Sequence, residues 1–380
     1  MNIEIVGIHP TNKGALLMLA AIRERILAAF PKARFGVPMN WPVELRLAEG
    51  LYCTVPIERG SRDVSWASEL MPAKVRRTVG FWSRSDVDVV LDASGFGYGD
   101  YWGLEKLKRR LVRLGTNWRK GKRVLIVMPQ ALGPFEKPGM ADAAKTAFKN
   151  ADLVFVRDRS SKGFVDKLGP LGPHVKSAPD FTNLLHPELP ARLEHMRGAA
   201  LVISNEKVVG NDAAKRATYI DYLVLACETL KAAGQRVVLL VHEGAGDRRI
   251  ADEVNARLSS QAEVLDEKSQ LVTKAVIGVA NVIVSSRFHG LISALSAAVP
   301  ALACGWSHKY AELMSDYGCP EFNVDLNDKA SWQPKLDDLI AAGASPEYRR
   351  KLAQAGDAQR ALSEGMWGDV IGLLKQRGFG

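Results

Sequence analysis

Cysteine is scarce in this chain. Four occur among 380 residues (Cys53, Cys227, Cys304 and Cys319), with no CxxC pair and no Cys/His metal spacing. That excludes a disulfide scaffold and a zinc module, and it leaves the thiols as small buried hydrophobes expected of a reducing cytosol. Long apolar runs are missing too. The longest, near 291–304, contains Pro300 and is too short to cross a bilayer. The first residues, MNIEIVGIHP, carry neither a basic start nor an apolar core, so no signal peptide is expected there. There is no P-loop, no GxSxG, no HExxH and no carboxylate pair whose spacing argues for hydrolysis. The expectation is a cytoplasmic protein, with a peripheral place at the inner membrane face left open.

What is present is ordinary in amount: 47% apolar and 24% charged residues, close to a soluble globular average. The length suits two domains, each long enough to bury its own core. Lys and Arg total 51 against 42 Asp and Glu, a net charge of +9. A mild basic excess fits an anionic ligand, an anionic membrane or nucleic acid without choosing among them.

Short apolar runs alternate with helical patterns. IEIVGI (3–8), DVVLDA around 88–93, VLIVM (124–128) and LVFV (153–156) read as buried strands, with helices at 14–30, 104–114 and 141–150 between them. The alternation pauses at 179–198, where three prolines fall in PDFTNLLHPELPARLEHMRG. It restarts with strands ALVIS (200–204), VVLLV (237–241), VIVS (282–285) and PALAC (300–304), and helices over 215–233, 248–258, 269–280 and 291–298. The pattern predicts an α/β protein with an N-terminal domain over 1–183, a second domain over 198–345, and a helical tail over 346–380 that packs back on the first domain. Two doubly wound parallel sheets of this kind place their carboxyl-end loops around a shared cleft.

The loops after those strands hold the candidate chemistry. SSRFHG (285–290) follows a strand and opens a helix, a place suited to an anion. Arg287 offers a planar fork for phosphate or carboxylate, His289 a proton near neutral pH, and Gly290 a tight turn beside Ser286. Lys309, in GWSHKY, follows the next strand, and Arg157, in VFVRDRSS, is a second anion clamp whose helix Ser160 or Ser161 would cap. A surface ion pair with Asp158 or Asp166 is the plainer reading of Arg157. In VMPQALGPF, Gln130 lies on a rigid loop after the strand. Asn12 and Gly14, in HPTNKGALLML, can expose backbone N–H groups. DASGFGYGDYWG lacks GxGxxG and comes too late for a dinucleotide loop, while Asp92, Ser94 and Asp100 suit sugar hydroxyls. His242 and Asp247, in VHEGAGD, are further ligands or acid/base groups.

Residues 106–123 carry nine Lys/Arg and no acid, with Leu104, Leu107, Leu111 and Leu114 at helical spacing. A solvated basic face is one reading. Contact with anionic lipid headgroups or a lipid-diphosphate acceptor is the other. No nucleic-acid motif accompanies the charge, so nucleic acid is not expected as a partner.

Taken in order, the NKGA loop, DASG, PQALGPF, VRDRSS, APDFTNLL, VHEGAGD and SSRFHGLISALSAAVPALA make the chain resemble the polysaccharide pyruvyltransferase family. The resemblance runs from about Asn12 to Tyr317. It implies a GT-B-like architecture, two Rossmann-like domains facing a cleft. It implies transfer of a pyruvyl group from phosphoenolpyruvate to a sugar of a surface polysaccharide or its lipid-linked precursor, forming a ketal. On that basis His289 is the general acid, Arg287 acts with it, and Arg157, Arg287, Lys309, Ser286, Gly290 and His242 bind the donor. Asn12, Gly14, Ser94, Asp100 and Gln130 bind the acceptor, and neither metal nor cofactor is required. Two departures fall on the acceptor side: Ala15 stands where the family often has Asp, and ASGFG replaces a GGG-like stretch. The alternatives are a nucleotide-sugar glycosyltransferase of the same fold and an inactive glycan-binding protein.

Overall fold

A computed structural model describes residues 1–380 apart from 55–57, 60–61, 64–68, 120 and 306. The chain forms two compact units: Met1–Pro10 with Met18–Phe181 and Ser363–Gly380, and Thr11–Leu17 with Thr182–Leu362.

The first unit is built on a parallel sheet of β1 (Asn2–Val6), β2 (Arg34–Pro38), β3 (Tyr52–Thr54), β4 (Phe81–Trp82), β5 (Val89–Asp92), β6 (Phe96–Tyr98), β7 (Val124–Leu132), β8 (Leu153–Val156) and β9 (Val175–Ser177). The order is β9-β8-β7-β5-β1-β2-β3-β4, with β6 added to the end of β7. β5, β7 and β8 are buried at every position. Sheets covered on both faces are written as continuous apolar runs, which is why these strands were readable in the sequence. β7 runs four residues past the expected end. Between Val127 and Gln130 its register against β8 slips, and Pro129, with no N–H to give, falls in that bulge. Pairing with β6 then carries the strand on to Leu132. Gln130 is therefore a buried strand residue and not part of a loop.

The second unit has β10 (Ala200–Ile203), β11 (Val237–Leu240), β12 (Glu263–Leu265), β13 (Val282–Ser285) and β14 (Ala301–Ala303), all parallel, in the order β12-β11-β10-β13-β14. The order reverses between β10 and β13, and between β1 and β5 in the first unit. Loops leaving neighbouring strands at such a point diverge and leave room for a ligand at the carboxyl ends.

Two helices are shared between the units. In α1 (Lys13–Ala29) the first turn belongs to the second unit and the remainder to the first. The C-terminal helix, Pro346–Gln376, divides at Ser363. Its earlier part is tied into the second unit by Arg360 on the Ser296 carbonyl (2.8 Å) and Arg349 on the Asn281 carbonyl (2.7 Å). Its last turns belong to the first unit: Trp367 meets Phe181 edge-on at 5.8 Å, and Arg377 binds Asp152 at 2.6 Å. The tail is thus not a separate segment.

Candidate functional site

The second unit's switch point is framed by buried polar side chains. Ser285 Oγ accepts from Arg287 N (3.1 Å) and closes a tight turn at the end of β13. A Cβ on Gly290 would fall 2.8 Å from that hydroxyl, so the turn needs glycine there. Asn205, just past β10, donates to the Ser286 carbonyl (2.8 Å), and the Tyr310 hydroxyl donates to the same oxygen (2.9 Å). Tyr219 donates to Ser286 Oγ (2.7 Å). Ser286 therefore holds the frame together.

Arg287 is buried and occupied. Its Nε donates to Asp247 Oδ2 at 2.8 Å, Nη2 reaches Asp247 Oδ1, and Nη1 reaches Glu243. Asp247 is itself held by backbone N–H groups of Glu206 (3.1 Å) and Glu243 (2.9 Å). Burial works against the Arg287 charge, but the two carboxylates outweigh it and hold its pKa above the usual arginine value. The anion clamp expected at Arg287 is already paired within the protein. Three of five N–H donors are used, and the charge is compensated.

His289 stands two residues further on, in α7 (Phe288–Leu295; the longer helices between α1 and it are α2, Met140–Asn150; α3, Arg159–Asp166; α4, Ala213–Ala232; α5, Gly244–Ala256; α6, Gln270–Gly278). Gly14 packs directly on the imidazole: a Cβ at that position would lie 2.1 Å from Nδ1. Asn12 Oδ1 accepts from Ala15 N (3.0 Å) and caps the start of α1. Between them Lys13 is buried and donates from Nζ to the Val241 carbonyl at 2.9 Å. The next residue, His242, is also buried; its Nδ1 finds no hydrogen-bond partner among the described residues. Burial, then Arg287, Lys13 and His289, push His242 well below the ordinary histidine pKa, so its ring is neutral. Lys309, at the start of α8 (His308–Asp316), places its ammonium 5.2 Å from the Phe288 ring. Trp306, in the same GWSHKY stretch, lies outside the described residues.

Asn12, Gly14, His242, Ser286, Arg287, His289, Gly290 and Lys309 thus belong to one unit. The expectation that Asn12 and Gly14 serve with the N-terminal domain does not match that grouping. Ser94, Asp100, Gln130 and Arg157 belong to the other.

In the first unit, buried Asp92 ends β5 and gathers Tyr98 OH, Ser94 N (3.1 Å) and Gln130 Nε2 (3.3 Å). Gln130 Oε1 has no partner among the described residues. Lys106, in α-helical turn Leu104–Leu107, sits 3.9 Å over the Trp102 ring; burial, followed by Arg110, lowers its pKa to about 8. The following turns, Lys108–Val112 and Leu114–Trp118, are π-helical, so the expected regular helix widens here. Lys120 of the 106–123 segment lies outside the described residues. Asp100 binds the backbone N–H of Glu136 (2.8 Å) and Lys137 (3.0 Å) with its two carboxylate oxygens and holds that turn. Arg157 pairs with Asp180 (3.1 Å), a partner its own loop does not contain. Asp158 caps α3 through Ser161 N (2.7 Å), in place of the expected serine cap, because a carboxylate also answers the helix dipole. Ser161 instead accepts from Leu132 N at 2.8 Å.

Sequence reasoning missed Lys13 and Glu243. Both stood inside loops already singled out, next to Gly14 and His242, and neither belongs to a recognisable spacing.

Two parallel-sheet units with reversed strand order, each carrying its polar groups at strand carboxyl ends, define the GT-B class. Solved structures agree: a UDP co-structure of MnaA from S. aureus superposes with TM-score 0.58 at 11% identity, covering 98% of this chain and 96% of that one. A glycosyltransferase from Rickettsia africae gives 0.57 at 10% identity, over 99% and 98%. The family model of polysaccharide pyruvyl transferases matches residues 12–308, and the chain belongs to that family. The amylovoran biosynthesis protein AmsJ of Erwinia amylovora is 20% identical over 313 residues, 75% of this chain and 72% of AmsJ. Among the described residues no helix is long and apolar enough to cross a membrane.

Proposed function

We propose that this chain moves the pyruvyl group of phosphoenolpyruvate onto two hydroxyls of a sugar, in a surface polysaccharide or its lipid-linked precursor. The observation that carries this reading is His289, held against the Gly14 backbone at the switch point of the second unit. Family membership supplies the reaction class, and the imidazole supplies the proton that class needs.

In this mechanism His289 gives its proton to the methylene carbon of the donor, and C2 becomes oxocarbenium-like. The first sugar hydroxyl adds at C2 and returns its proton to the neutral imidazole. The second hydroxyl displaces phosphate from C2 and closes the ketal, with its proton leaving on the phosphate. No metal enters the steps as written. Arg287, fixed by Asp247 and Glu243, positions the loop that carries His289. Lys309, beside Phe288, faces the donor. Ser94 meets the acceptor, and buried Gln130 steadies Asp92 beneath it.

The test is thermal unfolding with phosphoenolpyruvate and, separately, with nucleotides and nucleotide sugars. A ligand that binds only the folded chain raises the midpoint with concentration. We expect a rise with phosphoenolpyruvate. A rise with a nucleotide alone moves the reading to a glycosyltransferase, and no rise with either leaves a glycan-binding protein.

A further inference from the structure

Arg287 is neutralised, so beside Lys309 the second unit needs a further source of positive charge for an anion. Lys13 is that source. It is 8% exposed, and of its three N–H donors one is used, on the Val241 carbonyl at 2.9 Å. No carboxylate forms an ion pair with it among the described residues. Burial above all lowers its pKa, and the acids that act on it from further away are already matched: Asp266 pairs with Lys268, Glu267 pairs with Arg192 and accepts from Ser269 N, and Asp247 pairs with Arg287. A buried ammonium left with open donors is costly unless something completes its shell.

The neighbouring group has the same deficit. His242 is 3% exposed and directly follows the carbonyl that Lys13 binds, and its Nδ1 has no partner among the described residues. Buried polar atoms in native proteins are nearly always satisfied, by protein, by water or by ligand. The start of α5, directly after His242 and Glu243, is already answered by carboxylates, with Glu206 packed on Gly246 and Asp247 accepting from Glu243 N, so an added anion would rest on the two side chains. One oxyanion between Lys13 Nζ and His242 Nδ1 would satisfy both.

We propose that Lys13 and His242 form a phosphate-binding subsite at the carboxyl end of β11. Lys13 supplies the charge, neutral His242 donates from Nδ1, and Arg287 holds α5 and α7 in place around them without contacting the anion. Assigning this subsite to the phosphate of phosphoenolpyruvate rests on the function proposed above. Its affinity for phosphate does not.

The experiment is isothermal titration of the full chain with inorganic phosphate, in the wild type, Lys13→Met and His242→Asn. The subsite requires measurable binding to the wild type and an affinity lower by about tenfold or more in Lys13→Met, the scale of one charge-assisted contact. His242→Asn should also weaken binding, and it carries the test alone where Lys13→Met does not fold. Wild-type affinity in a folded Lys13→Met, or in His242→Asn when that variant stands alone, overturns the proposal. So does an absence of phosphate binding to the wild type. A competition arm with phosphoenolpyruvate separates the two readings. Lys13-dependent phosphate binding that phosphoenolpyruvate fails to displace keeps the subsite and sinks the pyruvyl reading.

Discussion

Gly14 and His289 meet with no room between them: a Cβ on residue 14 would lie 2.1 Å from Nδ1 and 2.7 Å from Cγ of the ring. The glycine is there for space, since it opens a helix in which alanine would be the better former. The ring is consequently set by a backbone, the least adjustable wall a protein can offer.

Gly14→Ala separates these two effects. The helix gains about 0.5–1 kcal/mol of propensity, while the methyl group drives the imidazole from its place. Displacing a proton donor by about 1 Å costs on the order of 100-fold in rate. Turnover and unfolding midpoint measured on one preparation should therefore part: activity falls at least tenfold with the fold retained. Full turnover in this variant would remove His289 from the mechanism.

Arg287 and Asp247 make a buried, two-pronged pair, and Arg287→Met leaves the carboxylate of Asp247 without its counterion. Breaking such a pair costs about 3–5 kcal/mol, whereas removing both partners costs far less. Denaturant unfolding should show a large loss for Arg287→Met, partial recovery in Arg287→Met/Asp247→Asn, and little rescue by Arg287→Lys, which cannot span both oxygens. An unchanged midpoint for Arg287→Met would mean that the guanidinium is held for a ligand and not for the fold.

What could be read from sequence follows a physical line. Strands β5, β8, β10, β11 and β13 were legible because burial on both faces writes an unbroken apolar run. The SSRFHG loop was legible because a strand-to-helix turn has fixed chemistry. Partners distant in sequence were not. Nothing near Gly14 announces His289, and nothing near Arg287 announces that Asp247 and Glu243 consume its donors. Pro129 looked like the end of a strand because a proline breaks the ladder, yet a bulge absorbs it and β7 continues. Lys13 looked like any lysine at the start of a helix. Only its burial against the Val241 carbonyl sets it apart.

Burial of His242 makes stability depend on pH, and the sign is fixed. Its folded pKa lies well below the ordinary 6.5, chiefly through desolvation and then through Arg287, Lys13 and His289. Well above pH 6.5 both folded and unfolded chains carry it neutral, and it contributes no slope. As the pH falls below that value the unfolded chain takes up a proton that the folded chain refuses, so the unfolded state is favoured. The midpoint of wild type should drop between pH 7 and 5.5, before most carboxylates begin to titrate. His242→Asn keeps a polar side chain of similar reach but cannot be protonated, so its midpoint should be flatter over the same range. Equal slopes in the two proteins would mean that His242 is protonated in the folded chain. Its Nδ1 would then be a charged donor from the outset, and the neutral ring drawn beside Lys13 would have to be abandoned.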